Sequence, residues 1–290
     1  METHAPNLSD LLKRCWGQLG KLFNTNQMIF TLTAGRSGSG WLSKFIAANL
    51  DITSVHEPLE IDDIDVRMPS IKVLRSFNTR GMDSVVRDFW QRKLKTLPEN
   101  APYCETNHTL GKCGLIETLA EQPNADEYTI IVLKRNLAKQ CASYINRNDF
   151  SNILMWWQWF LAPDYPNIIV PSETLRPLGA IGLAVWYTLE MESRQCYYQR
   201  VYGDRLRFVE VQLEEAVTAE GAARLLSDLG YDQEHILPPK YNASAQPSND
   251  QMVAKIGDMI ANSGFDPDAT VSAYLEANHS LSMQDTRLAS

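Results

Sequence analysis

The sequence predicts an α/β protein with a mostly parallel central sheet flanked by helices. Three observations carry that expectation. Short apolar, β-branched runs at Met28 to Leu32, Tyr128 to Leu133 and Leu206 to Gln212 alternate with stretches whose apolar residues repeat at helical spacing. The first run passes through a turn of small residues, Ala34-Gly35-Arg36-Ser37-Gly38-Ser39-Gly40, directly into a helical pattern of Trp41, Leu42, Phe45, Ile46 and Leu50. A chain of 290 residues with 44% hydrophobic content holds enough apolar material for a full core. Strands alternating with helices place ligands at the strand carboxyl ends.

Taken in order, residues 1–26 carry apolar side chains at Leu8, Leu11, Leu12, Cys15, Trp16, Leu19, Leu22 and Phe23, an amphipathic helix. Three placements stay open for it: on its own domain, on a membrane surface, or against a second subunit. The main domain runs over 27–250. After the glycine turn and its helix, residues 51–58 read as a short strand ending at His56-Glu57-Pro58. Residues 59–101 have weak periodicity, acidic first (Glu60, Asp62, Asp63, Asp65) and basic from Arg75 to Lys95. They read as an insertion of loops and one or two helices that covers an acceptor site. Tyr103 to Thr106 is a second short strand, and Leu110 to Ala120 is expected to be a helix. Tyr128 to Leu133 is the clearest core strand, and it leads into Lys134-Arg135 and a helix bearing Leu137, Cys141, Tyr144 and Ile145.

Residues 153–161 are apolar on every side and read as a buried helix. Pro177 to Tyr202 reads as a long helix with Leu178, Ile181, Val185 and Leu189 inward. A strand over 206–212 and a helix from Ala222 to Leu229, stopped at Gly230, follow. Residues 237–249 form a polar loop. Residues 251–290 are assigned to C-terminal helices, one marked by Met252, Val253, Ile256, Met259 and Ile260, and a loose tail of ten residues.

Charge and cysteine usage narrow the function classes. The net charge is −8 and the pI about 5.2, which excludes a general nucleic-acid surface. Any bound polyanion needs a local basic pocket. The five cysteines (15, 104, 113, 141, 196) show no metal-ligand spacing, so reduced thiols and a cytoplasmic location are expected. No run of eighteen apolar residues exists, and stable membrane insertion is not expected. A homodimer is left open.

Strand, glycine turn and helix aim backbone N–H groups and a helix dipole at a phosphate. Counting from Gly35, a nucleoside-triphosphate loop needs lysine and then serine or threonine after Gly40; Trp41 and Leu42 stand there instead. The segment resembles the 5′-phosphosulfate loop of sulfotransferases that use 3′-phosphoadenosine 5′-phosphosulfate (PAPS). Their second signature, an arginine at a strand end and a serine eight residues on, is matched by Arg135 and Ser143. Trp186-Tyr187 on the long helix and the strand RFVEVQLEEA add to the resemblance, which spans about 28–249.

The resemblance implies a P-loop-NTPase-like sulfotransferase fold, with PAPS as sulfo donor, no metal, and a small-molecule acceptor. It assigns Arg36, Ser37, Gly38, Ser39 and Gly40 to the 5′-phosphosulfate, with Trp41 near the adenine or packed beneath the loop. Arg135 and Ser143 take the 3′-phosphate, and Lys240 reaches over the nucleotide from a late loop. Two residues compete as general base: Glu57, at a strand end where many members keep a glutamate, and His108, placed like the histidine of the cytosolic enzymes. Glu57 is favoured. No lysine stands near the bridging oxygen, so Arg36 is expected to serve both binding and charge stabilisation. The carboxylates at Glu57, Glu60, Asp62, Asp63 and Asp65 favour a cationic or neutral polar acceptor. The rivals are a kinase or NTPase with a degenerate loop and a non-catalytic module of the same fold.

Overall fold

The computed structural model describes residues 27–99, 101–151, 159–239 and 249–288. Strands β1 (Met28–Leu32), β2 (Thr53–His56), β3 (Tyr103–Thr106), β4 (Tyr128–Lys134) and β5 (Arg207–Gln212) form one sheet in the order β2-β3-β1-β4-β5. Every neighbouring pair is parallel, with Leu32 opposite Val132 and His56 opposite Thr106. The protein is thus α/β with a wholly parallel central sheet flanked by helices, as the sequence predicts.

The helices are α1 (Ser39–Asn49), α2 (Ile71–Arg80), α3 (Ser84–Leu94), α4 (Leu115–Ala120), α5 (Leu137–Asn146), α6 (Gly179–Tyr202), α7 (Leu213–Ala216), α8 (Ala219–Asp228), α9 (Asp250–Asn262) and α10 (Pro267–Leu288). The pleat of the strands sorts their side chains between two cores. Phe30, Leu32, Ile130 and Val132 pack with α2, α3 and α4, while Ile29, Ile131 and Leu133 pack with α1 and α8. Each of these strand residues is at most 1% exposed, and each stabilises the sheet by roughly 1.5–3 kcal/mol of burial. A third cluster, built from α5, α6 and α9 around Tyr144, Trp186 and Tyr187, takes in Ala34, just past the carboxyl end of β1.

The connections decide where a ligand can sit. From β1 the chain moves outward to β2 at one edge, and from β3 it crosses β1 to reach β4 on the other side. The strand order therefore reverses around β1, and the crevice at its carboxyl end is the topological switch point.

Several elements differ from expectation. Leu110 to Ala120 is not one helix: a tight turn at Leu110–Lys112 is separated from α4 by Gly114 at φ 87. A Cβ at Gly114 would lie 2.7 Å from Met82 Sδ, so the close packing of α3's leading turn needs glycine there. The long helix starts at Gly179, because Pro177 lies in a preceding tight turn. Val185 and Leu189 do point inward, but Leu178 and Ile181 are 52% and 48% exposed. The chain's end is helical through Leu288 instead of loose. The expected helix within 1–26 and Lys240 lie outside the described residues, as does 152–158; Trp159 to Leu161, the described end of the apolar stretch, are not α-helical.

Candidate functional site

The residues between β1 and α1 form a tight anion-loop backbone. Gly35, Arg36 and Gly38 all have positive φ, at 86, 54 and 91. A Cβ on Gly38 would lie 2.5 Å from Leu213 Cδ1, so the loop is closed from behind by the chain after β5. No side chain caps α1, and its first N–H groups open toward the loop. The carbonyls that open the loop are held: Gln140 Nε2 donates to Gly35 O at 2.7 Å, and the Tyr144 and Tyr187 hydroxyls each donate to Ala34 O at 2.9 Å. Ser37 is fully buried, with its hydroxyl engaged by Thr33, and so braces the loop from inside. Trp41 is packed beneath the loop, stacked on Phe45 with ring centroids 5.2 Å apart, its Nε1 donating to Pro238 O.

The two segments singled out as phosphate signatures touch each other. Arg36 Nε donates to Ser143 Oγ at 3.0 Å, and Arg135 Nη1 donates to the Arg36 carbonyl at 2.7 Å. Arg147, the residue that closes α5, stands four positions after Ser143, one helical turn on. Its charge acts on Arg36, whose pKa is lowered by burial first and then by Arg147 and Arg135, against the opposing pull of Asp149. Asp149 is 4% exposed and pairs with Arg147 Nε at 3.4 Å. Asp149 thus answers Arg147 and Arg36, while Arg135 is held by the Arg36 carbonyl, a gathering of three guanidinium groups suited to an anion in a protein of net charge −8.

The amino end of α5 is capped by side chains. Asn136 caps it through Lys139 N at 3.0 Å, and both Glu214 oxygens accept from Asn136 N at 3.2 and 3.3 Å. The Asn136 and Lys139 N–H groups are thus spent on protein acceptors.

Glu57 and His108, read as rivals, are a hydrogen-bonded pair: His108 Nδ1 lies 2.9 Å from Glu57 Oε1. β2 ends at His56, and Glu57 takes φ 42, a turn that swings its carboxylate toward β3's trailing end. His56 turns to β3, with Nδ1 at 3.0 Å from both the carbonyl and hydroxyl oxygens of Thr106. The His108 ring lies against the phosphate loop, 3.2 Å from where a Cβ on Gly35 would stand.

Burial alone would raise the Glu57 carboxyl, but the charge and hydrogen bond of His108, with His56 and Lys112, outweigh it and hold the pKa near 2. For His108, burial and the Lys112 charge outweigh the pull of Glu57, and its pKa falls below the usual imidazole value. At neutral pH the pair is therefore a carboxylate and a neutral imidazole. Nδ1 must then carry the proton given to Glu57, which leaves the Nε2 lone pair as the basic atom.

Sequence reasoning missed Arg147, Asp149 and Lys112. The spacing of Arg147, four residues after Ser143 on a helix, was a readable signal. Lys112 was not readable: its ammonium is fully buried, donating to Trp159 O at 2.6 Å and Tyr187 Oη at 2.9 Å. Burial pushes its pKa down to about 7, and its charge is felt by both members of the Glu57–His108 pair.

No family model matches the chain, and no curated protein is similar to it at a significant level. Among solved structures, a crystal structure of a sulfotransferase from Alicyclobacillus acidocaldarius is similar at 14% identity and a TM-score of 0.45, covering 86% of this chain and 95% of that one.

Proposed function

We propose that this chain transfers a sulfo group from PAPS to a hydroxyl or amine of a small, neutral or cationic polar acceptor. One observation carries the reading: Arg36, Arg135, Ser143 and Arg147 meet in one anion site whose loop is in contact with a carboxylate–imidazole pair. In this reading the loop over 35–40 holds the 5′-phosphosulfate, and Arg135, Ser143 and Arg147 hold the 3′-phosphate.

The transfer moves an SO₃-like group in line from a phosphate oxygen to the acceptor. What remains for the protein is positioning, proton removal and stabilisation of the leaving phosphate. His108 Nε2 takes the acceptor proton, and Glu57 orients the ring and stabilises the imidazolium that forms. Both expected base candidates thus act together, with His108 the group that meets the acceptor. Arg36, between the two anion positions, meets the charge that develops on the leaving phosphate.

Acceptor charge rests on a smaller negative field than the sequence suggests. Asp63 is 7% exposed, accepts from Glu60 N and pairs with Arg67 at 3.2 Å, so part of the acidic segment is spent internally.

The test is an acceptor screen with the full chain and PAPS, read by mass spectrometry for the gain of one sulfo group and the release of adenosine 3′,5′-bisphosphate. Matched cationic, neutral and anionic alcohols separate the acceptor classes. Magnesium-dependent ATP turnover in place of transfer would instead support the NTPase reading, and nucleotide binding without transfer to any acceptor the non-catalytic one.

A further inference from the structure

A buried ion pair next to the Glu57–His108 pair has no part in the chemistry described so far. Lys93, on α3, is 1% exposed and donates to Glu105 Oε2 at 2.7 Å; Glu105, on β3, is fully buried. Such pairs are costly to desolvate and rarely improve stability over apolar residues of the same volume, so their retention calls for a reason. The reason lies in what each end holds.

Glu105 Oε1 accepts from Asn107 Nδ2 at 3.0 Å. Asn107 is itself fully buried and tied on every side. Its backbone N–H donates to Thr31 Oγ1 at 3.0 Å, and its Oδ1 accepts from Thr109 N at 3.0 Å and Thr109 Oγ1 at 2.8 Å. The turn between those anchors carries His108. At the other end, Lys93 Nζ donates to Arg67 O at 2.6 Å, and Asn107 Nδ2 also reaches Met68 Sδ at 2.8 Å. Arg67 and Met68 close the segment that leaves Glu57. The same chain of bonds therefore fastens both arms of the pair, the turn bearing His108 and the loop following Glu57.

We infer that Asn107, anchored by Glu105 and Lys93, is a positioning residue that fixes His108 against Glu57. The inference deepens the sulfotransferase reading and rests on it for the role of His108. The side chains of the network are at most 1% exposed, so it acts through the tautomer and orientation of one imidazole. Its loss should therefore leave donor binding intact and disturb the proton-transfer step, since a misplacement of about 1 Å can cost on the order of 10²-fold in rate.

The experiment is histidine-selective ¹⁵N NMR of the full chain across pH, with the His108 signal assigned from His108→Gln, beside steady-state transfer kinetics. Wild type should show a proton held on Nδ1 and an imidazole that titrates below the usual value. In Asn107→Ala, the two nitrogen shifts should converge toward a tautomer mixture and the titration should move. Turnover should fall by about 10–100-fold, with the KM for PAPS changed less than about 2-fold. Lys93→Met/Glu105→Gln keeps an amide oxygen for Asn107 but loses the bond to the Arg67 carbonyl, and should move the His108 shifts less than Asn107→Ala does.

A folded Asn107→Ala protein with unmoved His108 shifts and pH profile would overturn the inference, leaving the network as plain core. If that variant does not fold, Thr109→Val removes only the hydroxyl bond to Asn107 Oδ1 and should move the same shifts part of the way; unmoved shifts there are equally decisive. A wild-type chain that transfers no sulfo group would refute the proposed function, while the NMR comparison would still decide whether Asn107 positions His108.

Discussion

Removing one member of the Lys93–Glu105 pair should destabilise the protein far more than removing both. At 2.7 Å, and with an effective dielectric near 20, the gross attraction is about 6 kcal/mol. Most of it only offsets the desolvation of two groups that are 1% and 0% exposed. Glu105→Gln leaves the ammonium of Lys93 buried beside a neutral amide, with only the Arg67 carbonyl still well placed for it. Lys93→Met leaves the carboxylate with Tyr103 and Asn107 as its remaining donors. Each single variant should lose about 3–5 kcal/mol, the usual result of stranding a buried charge. For a chain of this length that is roughly 5–8 °C of Tm. Lys93→Met/Glu105→Gln strands no charge, and should lose less than about 2 kcal/mol, mostly the Arg67 carbonyl's donor. Urea unfolding of the four proteins closes the double-mutant cycle. Losses that simply add, with a coupling under about 0.5 kcal/mol, would mean that the two charges do not meet in the interior.

Three further outcomes follow from the site and its surroundings. Arg135→Ala and Arg147→Ala should each weaken adenosine 3′,5′-bisphosphate by about 2–5 kcal/mol in calorimetry while hardly changing the weak binding of AMP, which lacks the 3′-phosphate; equal losses for both nucleotides would remove these arginines from a 3′-phosphate site. His108→Ala should lower turnover by about 10²–10⁴ with PAPS affinity nearly intact, Glu57→Gln should lower it less, and the acid limb of kcat should fall below pH 6.5, where the depressed His108 takes up its proton; a Glu57→Gln enzyme more impaired than His108→Ala would restore Glu57 as the base.

Glu117 gives a pH test of stability. Burial raises its pKa from 4.5 to about 7, and its Oε2 has no hydrogen-bond partner among the described residues. A raised folded value means that its contribution is full below pH 4.5 and is lost as pH rises toward 7, because the unfolded chain gives up the proton first. Glu117→Gln should therefore gain about 1–3 kcal/mol relative to wild type between pH 4 and pH 8. An unchanged difference across that range would show that the carboxyl is solvated.

The sheet was legible because each strand is a local signal. Met28–Leu32 and Tyr128–Lys134 are mostly apolar, with Thr31, Thr129 and the terminal Lys134 as the exceptions, as expected of strands buried on both faces, and the helix patterns between them imply parallel crossovers. The anion loop was legible for the same reason, since a strand, three glycines and a helix lie within a few dozen residues. Arg135 and Ser143 could be placed at a strand end and on a helix, but their contact with Arg36 spans about a hundred residues and exists only once β1 and β4 pair.

What the chain could not announce was decided by backbone geometry and by burial. The positive φ of Glu57 breaks the strand's alternation, and that single turn converts two competing bases into one hydrogen-bonded pair. A periodicity argument cannot see it, because it assumes a regular strand. Lys93 and Lys112 look like solvated lysines in sequence, yet both are buried against acceptors brought from distant segments, so their roles depend on tertiary packing. Local pattern determined the elements and the loop chemistry. The charge states and pairings at the site were fixed by which strand ends the parallel sheet brings together, and by how little water reaches them.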